Sequence, residues 1–384
     1  MTADVIEHVL SYYVMFQKFH SPRLAGFAVM AHWVPYLTLS VWAGGLAERF
    51  DPRRVIQAGM VLFVFCSLAW GWVFLSGNAQ PWHAGVLLCV HGFAGVLWSP
   101  ASQLLLHEIV PPEELPSAVR LGATGRYLGM LVGPGIGGAL FLWLGPVRGI
   151  FVNALIYLPM IAWLWRAPYG PKFRLATARP ARAVRGVGDL VAALGVIRES
   201  PVLLSMTLLA AAASFCIGNA YQAQMPGFAA DLGQKDMGIA YSALLCADAL
   251  GALTAGILLE SRGLLSPRPR TAILLALIWC VALGSFAMAH AYALVLVLLF
   301  VAGFVELSFS SMAQALVQLS APPEVRGRVI GVFAMASLGM RMFSGLTVGF
   351  LGSIVGIHWS LALSAAAFFV IASGLWRRFA ARSG

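Results

Sequence analysis

Charged residues are scarce in this sequence. Only 10% of its 384 residues are Asp, Glu, Lys or Arg, against roughly 25% in a soluble domain, while 60% are hydrophobic. A water-soluble fold cannot bury that much apolar surface, and a disordered chain would carry more charge. The apolar runs are continuous and lack the alternation of barrel strands, so the sequence predicts an all-α protein that crosses a membrane many times.

Signatures of several other protein classes are also missing. The five cysteines lie in apolar runs with neither C-x-x-C nor zinc spacing, which argues against a disulfide framework and a metal site. The sequence has no G-K-[ST] phosphate loop, no H-E-x-x-H and no G-x-S-x-G. We therefore predict no cofactor, no bound metal and no enzymatic activity. The formal charge of +10 is interpreted as a topology signal and not as a nucleic-acid surface.

Polar and Pro/Gly-rich connections divide the chain into twelve predicted spans. They lie at about 5–18, 24–47, 54–76, 82–106, 117–143, 147–167, 202–225, 238–259, 271–290, 291–317, 328–352 and 357–376. Crossing the hydrocarbon core takes about 20 residues. The first span is shorter than that and no positive charge precedes it, so we expect the front half of this helix to be missing, through either a misassigned start or a real truncation.

The longest polar connection, from Ala167 to Ser200, separates two halves. We predict an N-terminal bundle at 1–167 (spans one to six), a linker at 168–200 with a short surface helix, and a C-terminal bundle at 201–384 (spans seven to twelve). Most of the 25 Lys and Arg residues fall on the linker's side of the membrane. The positive-inside rule then places the linker and the C-terminus in the cytoplasm.

The two halves repeat each other. One constant shift superposes Gly92 on Gly303 and Gln103 on Gln314. Repeats of six helices place a binding site near the bilayer midplane, between bundles that move against each other.

The connection between spans two and three contains a glycine followed by a carboxylate and arginines. Its residues are Gly44, Glu48, Arg49, Arg53 and Arg54. The glycine permits close helix approach, and the charges can pair and cap exposed carbonyls. The stretch resembles the loop signature of the major facilitator superfamily, with Glu48 for the usual Asp and Asp51 for the usual second Gly. The resemblance implies that Glu48 and the arginines form a cytoplasmic latch that holds the outward-facing state.

The fifth span carries glycines four residues apart and a proline. The residues are Gly129, Gly133, Pro134, Gly137 and Gly138. Such spacing gives a flat face for backbone packing, and the proline introduces a kink. The pattern resembles the antiporter signature of major facilitator exporters, although a plain packing face remains the alternative. Pro111–Val119 and Pro322–Gly331 further resemble the enterobactin-exporter and drug-efflux branch. The resemblance implies two six-helix bundles related by pseudo-two-fold symmetry.

Ionisable residues inside spans are expensive in hydrocarbon unless they face a cavity or a partner. Seven lie near mid-membrane: Glu7, His32, His91, Arg126, Asp248, Glu306 and Arg341. The resemblance implies that Glu306, His91 and Glu7 line the central cavity. We expect Glu306 to carry a proton and Arg126 and Arg341 to act as counter-ions more than as substrate ligands. Asp248 is either a proton carrier or the partner of an arginine, and the two histidines are either packing residues or site residues.

The leading hypothesis is a secondary transporter that exports a small amphipathic organic compound, drug-like or siderophore-like, by alternating access. Its expected partners are that substrate, protons and the lipid bilayer, without nucleic acid, and we expect a monomer in a bacterial-type inner membrane. A lysophospholipid flippase, an uptake symporter, and a non-transporting scaffold or sensor with a decayed first helix remain as alternatives.

Overall fold

The structure is a computed structural model that describes residues 2–19, 22–169, 187–218, 220–232, 237–262 and 267–381. These ranges are helices joined by short connections and contain no β-strand. The helices are α1 (Thr2–Phe19), α2 (Pro22–Arg49), α3 (Pro52–Ser76), α4 (Pro81–Ile109), α5 (Leu115–Ile156), α6 (Leu158–Arg166), α7 (Val187–Glu199), α8 (Pro201–Cys216), α9 (Ala220–Asp231), α10 (Met237–Arg262), α11 (Pro269–Met288), α12 (Tyr292–Ser320), α13 (Arg326–Ala334), α14 (Arg341–Ser344), α15 (Leu351–Val355) and α16 (Ile357–Ala381).

The prediction of an all-α membrane protein is confirmed. Eight segments within the described ranges are long and apolar enough to cross a membrane: Pro52–Ser76, Pro81–Ile109, Trp143–Arg166, Pro201–Gln222, Pro269–Met288, Tyr292–Ser320, Arg326–Val348 and Ile357–Arg378. A shorter apolar helix occupies Ala243–Leu259. The ends of α3, α4, α11 and α12 lie within a few residues of the predicted spans, whereas α5 runs past the predicted end at 143 and the predicted span at 202–225 is divided between α8 and α9.

Local sequence explains where several helices begin and end. Asp51 precedes α3, accepts a hydrogen bond from the backbone N–H of Arg53 at 3.0 Å, and is followed by Pro52, which is favourable at a first helical position. The same helix ends at Gly77, whose φ of 69° is accessible to glycine at little cost. Gly145 has φ 73° and ψ 170° and breaks α5 between the predicted fifth and sixth spans.

The described chain clusters into two compact units. Unit 1 comprises Met1–Pro111, Gly129–Val196 and Ala321–Met335. In it, α2 and α3 both pack on α4, and α13 packs on α2. Ile6, Leu10, Trp70, Leu88 and Ile150 are fully buried in its apolar core.

Unit 2 comprises Pro112–Leu128, Ile197–Ser320 and Ala336–Gly384. Here α12 packs on both α10 and α11, and α16 packs on α11. The start of α5 thus belongs to unit 2, while the segment that contains α13 belongs to unit 1. The predicted bundle boundaries at 167 and 201 stay a prediction, and residues 170–186 of the linker lie outside the described ranges.

Two π-helical turns interrupt the segment that follows α13. They span Met335–Gly339 and Gly345–Phe350, and Arg341 lies between them. Thr347 donates a hydrogen bond to the carbonyl of Cys216 at 2.8 Å, and Ser214 donates to the carbonyl of Ser337 at 3.0 Å. Side chains therefore tie this irregular segment to the end of α8. Single π turns of this kind are frequent at functional sites.

Candidate functional site

A buried cluster of histidine and carboxylate side chains lies in unit 1. The imidazole of His91 on α4 is held between two carboxylates of α1: Nε2 lies 2.5 Å from Oδ1 of Asp4, and Nδ1 lies 2.8 Å from Oε1 of Glu7. His91 and Glu7 have no exposed surface. In α1, residues 4 and 7 share a face because they are one turn apart, so α1 presents both carboxylates to α4.

Polar groups behind this cluster fix Glu7. The hydroxyl of Ser67 on α3 donates to Oε2 of Glu7, and Nδ2 of Asn153 donates to the hydroxyl oxygen of Ser67 at 3.3 Å. The ring of Phe63 packs edge-on against His91, with centroids 4.5 Å apart. Buried polar groups that are satisfied in this way form a rigid network.

Two further imidazoles complete the cluster. The His8 and His32 ring centroids lie 4.8 Å and 5.4 Å, respectively, from that of His91, and 4.9 Å from each other. Nδ1 of His8 lies 2.8 Å from the backbone oxygen of Asp4. A carbonyl oxygen can only accept, so Nδ1 of His8 carries the proton. Hereafter the N-terminal cluster means Asp4, Glu7, His8, His32 and His91.

A second polar cluster lies in unit 2. The hydroxyl of Tyr221 on α9 lies 3.2 Å from Oδ2 of Asp248 and 3.3 Å from Oε2 of Glu306. Nε2 of Gln222 donates to Oδ2 of Asp248 at 3.1 Å. Asp248 and Tyr221 are buried, and Glu306 is half-buried. Hereafter the C-terminal cluster means Tyr221, Gln222, Asp248 and Glu306.

Glycines at matching repeat positions permit one close helix crossing within each cluster. A Cβ on Gly303 of α12 would overlap the backbone oxygen of Asp248, and a Cβ on Gly92 of α4 would overlap that of His32. Only a residue without a side chain permits such close crossings. Gly303 lies one turn before Glu306, so the crossing of α10 and α12 sets the two carboxylates beside each other.

Among the predicted latch residues, Glu48 is hydrogen-bonded to Arg328. Oε1 of Glu48 accepts from the backbone N–H of Arg328 at 2.8 Å, and Oε2 accepts from Nε of Arg328 at 2.9 Å. Nη1 of Arg328 donates to Oδ1 of Asp189 on α7 at 3.0 Å, and Nη2 donates to the backbone oxygen of Glu324 at 3.0 Å. Arg328 thus joins α2 and α7 through charge-assisted hydrogen bonds.

Two of the arginines that follow Glu48 in the sequence, Arg53 and Arg54, bind groups near the start of α3. Nη2 of Arg53 donates to Oδ2 of Asp51 at 2.7 Å, and its Nη1 donates to the backbone oxygen of Ala167 at 2.6 Å. Nη1 of Arg54 donates to Oε1 of Gln57 at 2.7 Å. These two arginines therefore fasten the start of α3 to neighbouring groups. Glu48 binds a cation from Arg328, which lies 280 positions away in the chain.

Glycines also underlie the contact between α2 and α13. A Cβ on Gly44 would overlap the backbone oxygen of Gly327. A Cβ on Gly331 would lie 2.5 Å from the backbone oxygen of Ser40. The close approach of these backbones places Arg328 against Glu48.

The glycine face of α5 packs on α1. A Cβ on Gly133 would lie 2.7 Å from Cγ1 of Val5 and 3.6 Å from the backbone oxygen of Thr2. Gly129 and Gly137 are also buried. The backbone is helical through Pro134 and Gly138, and the residue with non-helical dihedral angles in this stretch is Gly145.

The structure thus groups five of the seven predicted mid-membrane residues. Glu7, His32 and His91 share the N-terminal cluster, and Asp248 and Glu306 share the C-terminal cluster. Tyr221 and Gln222 are the hydrogen-bond partners that the structure shows for Asp248, so its surroundings differ from the arginine pairing considered above. Arg126 and Arg341 are half-buried.

Sequence reasoning missed several residues of these sites. Asp4 and His8 were not singled out, although their spacing with Glu7 puts three polar side chains on one turn of α1. Arg328 stands in the Pro322–Gly331 stretch but was counted only as a topology charge. No sequence pattern indicates that Tyr221 and Gln222 belong to a site, since a single Tyr-Gln pair in an apolar helix has many structural uses.

A polytopic helical chain with two internally similar halves and buried ionisable clusters in its spans has the features of a membrane transporter. The family model of the Major Facilitator Superfamily matches residues 7–337 and 221–383. The chain belongs to this superfamily, and it is a transporter and not an enzyme.

Two relatives show the range of similarity. The chain is 26% identical over 356 residues to the multidrug efflux pump Tap of Mycolicibacterium fortuitum, covering 88% of this chain and 83% of that protein. It is 32% identical over 132 residues to the uncharacterized MFS-type transporter y4rN of Sinorhizobium fredii. The second alignment covers 34% of this chain and 32% of the relative, so there the chain spans about a third of the relative's length.

Solved structures share the fold at low identity. The human organic anion transporter MFSD10 (TETRAN) superposes with a TM-score of 0.74 at 13% identity, over 97% of this chain and 89% of that one. The E. coli fucose:proton symporter FucP superposes with a TM-score of 0.71 at 13% identity, over 97% and 96% of the two chains. These likenesses establish the all-α major facilitator fold.

Proposed function

We propose that this transporter exports small amphipathic organic compounds in exchange for protons. The observation that carries the proposal is the C-terminal cluster, in which Asp248 and Glu306 share one hydroxyl group of Tyr221. Two carboxylates within membrane-spanning helices carry a high free-energy cost unless they face a cavity or pair with another group.

The geometry of the C-terminal cluster favours a bound proton. The hydroxyl of Tyr221 has one hydrogen to donate, so it satisfies one carboxylate at a time. Two neighbouring carboxylates repel each other when both are charged, and a proton held by one of them removes the repulsion. Loading and release of that proton would give the transporter two electrostatic states of one site, as coupling to a proton gradient requires.

Export of amphipathic compounds is supported by similarity and by helix packing. The alignment with the multidrug efflux pump Tap covers most of both chains. Gly133, in the antiporter-like motif, meets the α1 helix, which also supplies Asp4, Glu7 and His8. If α5 slides against α1 at Gly133, then Asp4, Glu7 and His8 move together with α1.

The Glu48–Arg328–Asp189 group is the gate of this proposal. It joins α2, α7 and the start of α13 by hydrogen bonds of 2.8 to 3.0 Å. We assign it to the cytoplasmic side of a bacterial-type inner membrane because the arginine-rich connections lie there under the positive-inside rule. Breaking and remaking this group would accompany alternating access in a monomer whose linker and C-terminus are cytoplasmic.

The experiment uses inverted membrane vesicles from a pump-deficient bacterial host that produces the full chain. An acidic vesicle lumen should drive accumulation of a lipophilic cationic dye, and a protonophore should abolish it. A panel of dyes, antibiotics and catecholate siderophores then defines the substrate class. Dye accumulation that ignores the pH gradient, or equal accumulation in vesicles without the protein, would contradict the proposal.

A further inference from the structure

We propose that Asp4, His8, His32 and His91 form a binding site for a divalent transition-metal ion of the class that prefers imidazole ligands. This site is separate from the C-terminal cluster and does not depend on which solute is exported. Its four ligands come from three helices, α1, α2 and α4. Any bound ion would therefore join these helices.

The three imidazoles are already close enough to share an ion. One ring nitrogen from each of His8, His32 and His91 lies within 4.8 Å of the others. In a tetrahedral zinc site with Zn–N distances of about 2.0–2.1 Å, ligand nitrogens are about 3.4 Å apart. The proposal requires side-chain rotations that close the remaining gap.

Asp4 supplies the fourth ligand. Its Oδ1 lies 2.5 Å from Nε2 of His91. These two atoms would have to separate by about 0.8 Å to bind one tetrahedral ion together. His8 follows Asp4 by four residues on α1, which puts both side chains on the same face of the helix. Imidazole nitrogens and carboxylate oxygens are both zinc ligands, and three histidines form the protein ligands of some zinc sites.

Groups outside the donor set orient the rings as metal ligands require. Metal-binding histidines usually donate their second ring N–H to a carboxylate or a backbone carbonyl. Nδ1 of His91 meets Glu7 at 2.8 Å, and Nδ1 of His8 meets the backbone oxygen of Asp4 at 2.8 Å. Glu7 is itself held by Ser67.

Charge and access also suit a dication. Asp4 and Glu7 supply two carboxylates, which balance the charge of a divalent ion bound by neutral imidazoles. His8 and His32 are half-buried, whereas His91 is fully buried, so two of the three imidazoles have exposed surface. Imidazole ligands favour Zn²⁺, Co²⁺ and Ni²⁺ over Mg²⁺ and Ca²⁺, which prefer oxygen donors.

The test measures binding of Zn²⁺ alone to the purified full chain in detergent, with no polyhistidine tag, by equilibrium dialysis and metal analysis. We expect one Zn²⁺ per chain, undisturbed by excess Mg²⁺. Co²⁺ in place of Zn²⁺ should show the intense visible absorption of a tetrahedral site. Weak octahedral absorption from Co²⁺, or displacement of Zn²⁺ by Mg²⁺, would overturn the proposal.

Variants separate ligands from supporting residues. His8→Gln and His32→Gln should each weaken Zn²⁺ binding by about 100-fold or more, while Glu7→Gln should weaken it by about 10- to 100-fold. His358→Gln is the matched control, because His358 contacts Asp231 and the carbonyl of Ala287 in unit 2. It should bind Zn²⁺ as the unmodified chain does.

Substitutions of the two half-buried histidines are less prone to cause misfolding than a substitution of His91. His91 is central to packing, so the decisive variants are His8→Gln and His32→Gln, each checked for a monodisperse elution profile and an unchanged thermal unfolding midpoint. If both variants fold and bind Zn²⁺ with unchanged affinity, the cluster is a packing network and the proposal is wrong. If the unmodified chain binds no Zn²⁺, it is equally wrong.

Discussion

Arg328 donates two hydrogen bonds to Glu48, one from its backbone N–H at 2.8 Å and one from Nε at 2.9 Å, although 280 residues separate the two in the chain. The close approach of Gly44 and Gly327 makes this pairing possible. Both residues are largely shielded from solvent, with 4% and 14% of their side chains exposed. Such an ion pair is costly to break, because each charge then loses its partner in a poorly solvated place.

The first prediction concerns this pair. Glu48→Gln keeps an oxygen for the backbone N–H of Arg328 but removes the negative charge, so transport should fall while membrane abundance stays normal. In a double-mutant cycle with Arg328→Gln, the coupling free energy from transport rates should be about 1–3 kcal/mol. Glu199→Gln, an exposed carboxylate at the end of α7, is the control and should transport normally. Additive effects of the two substitutions would contradict a role for the Glu48–Arg328 pair in gating.

The second prediction concerns the crossing of α10 and α12. Gly303→Ala adds a methyl group that overlaps the backbone oxygen of Asp248, and overpacking of this kind costs about 1–3 kcal/mol. Thermal unfolding in detergent should therefore shift to lower temperature. Gly374→Ala on α16 meets nothing within 4 Å and should keep the midpoint or raise it, since Ala favours a helix over Gly. Equal midpoints for the two variants would mean that α10 and α12 are not packed as described.

The third prediction concerns the α5 face. Gly133→Leu forces α1 away at Val5, and we expect leak or uncoupling of transport more than loss of the folded protein. Gly125→Leu is the matched control on the same helix, because a Cβ there meets nothing within 4 Å. Transport assays at equal membrane abundance decide the matter. Normal transport by Gly133→Leu would deprive the motif of a mechanical role.

The fourth prediction concerns topology. Cys89 and Cys246 are exposed and are first replaced by serine. A single cysteine at Asn78, which follows the end of α3, should then react with an impermeant thiol reagent added to intact cells. Cysteines at Ala178 or Ala183 in the linker should react only after the cells are opened. The opposite labelling pattern would reverse the proposed orientation.

Much of the fold follows from the sequence because the membrane restricts the choice of structure. Spans must be helical to satisfy their backbone hydrogen bonds, so apolar runs and their Pro/Gly boundaries locate α3, α4 and α11 closely. Ionisable residues within the spans also stand out, and Glu7, His91, Asp248 and Glu306 were found on that basis alone.

The partners of these residues could not be predicted, since they depend on how helices pack. The contact between the carboxylate of Glu48 and Arg328 could not be read from the loop that contains Glu48. Asp248 lies beside Glu306 because the Gly303 crossing brings α10 close to α12, and the hydroxyl group between the two carboxylates comes from Tyr221 on α9. Helix crossings of this type are set by a few glycines, and glycines are too frequent in this chain to show beforehand which ones form crossings.

The measurement that tests the central claim most directly compares exchange with net transport in reconstituted vesicles carrying Glu306→Gln. A residue that carries the coupling proton is not needed for exchange of substrate across the membrane. It is needed for net transport driven by a pH gradient. The variant should therefore exchange labelled substrate for unlabelled substrate at nearly the normal rate, and pH-driven net export should be lost. Asp231→Asn, an exposed carboxylate, is the control and should retain both activities.

Asp248→Asn should be tested beside Glu306→Gln, because Asp248 and Glu306 share the hydroxyl group of Tyr221. Retained pH-driven export in Glu306→Gln, with or without loss in Asp248→Asn, would contradict the assignment of the proton to Glu306.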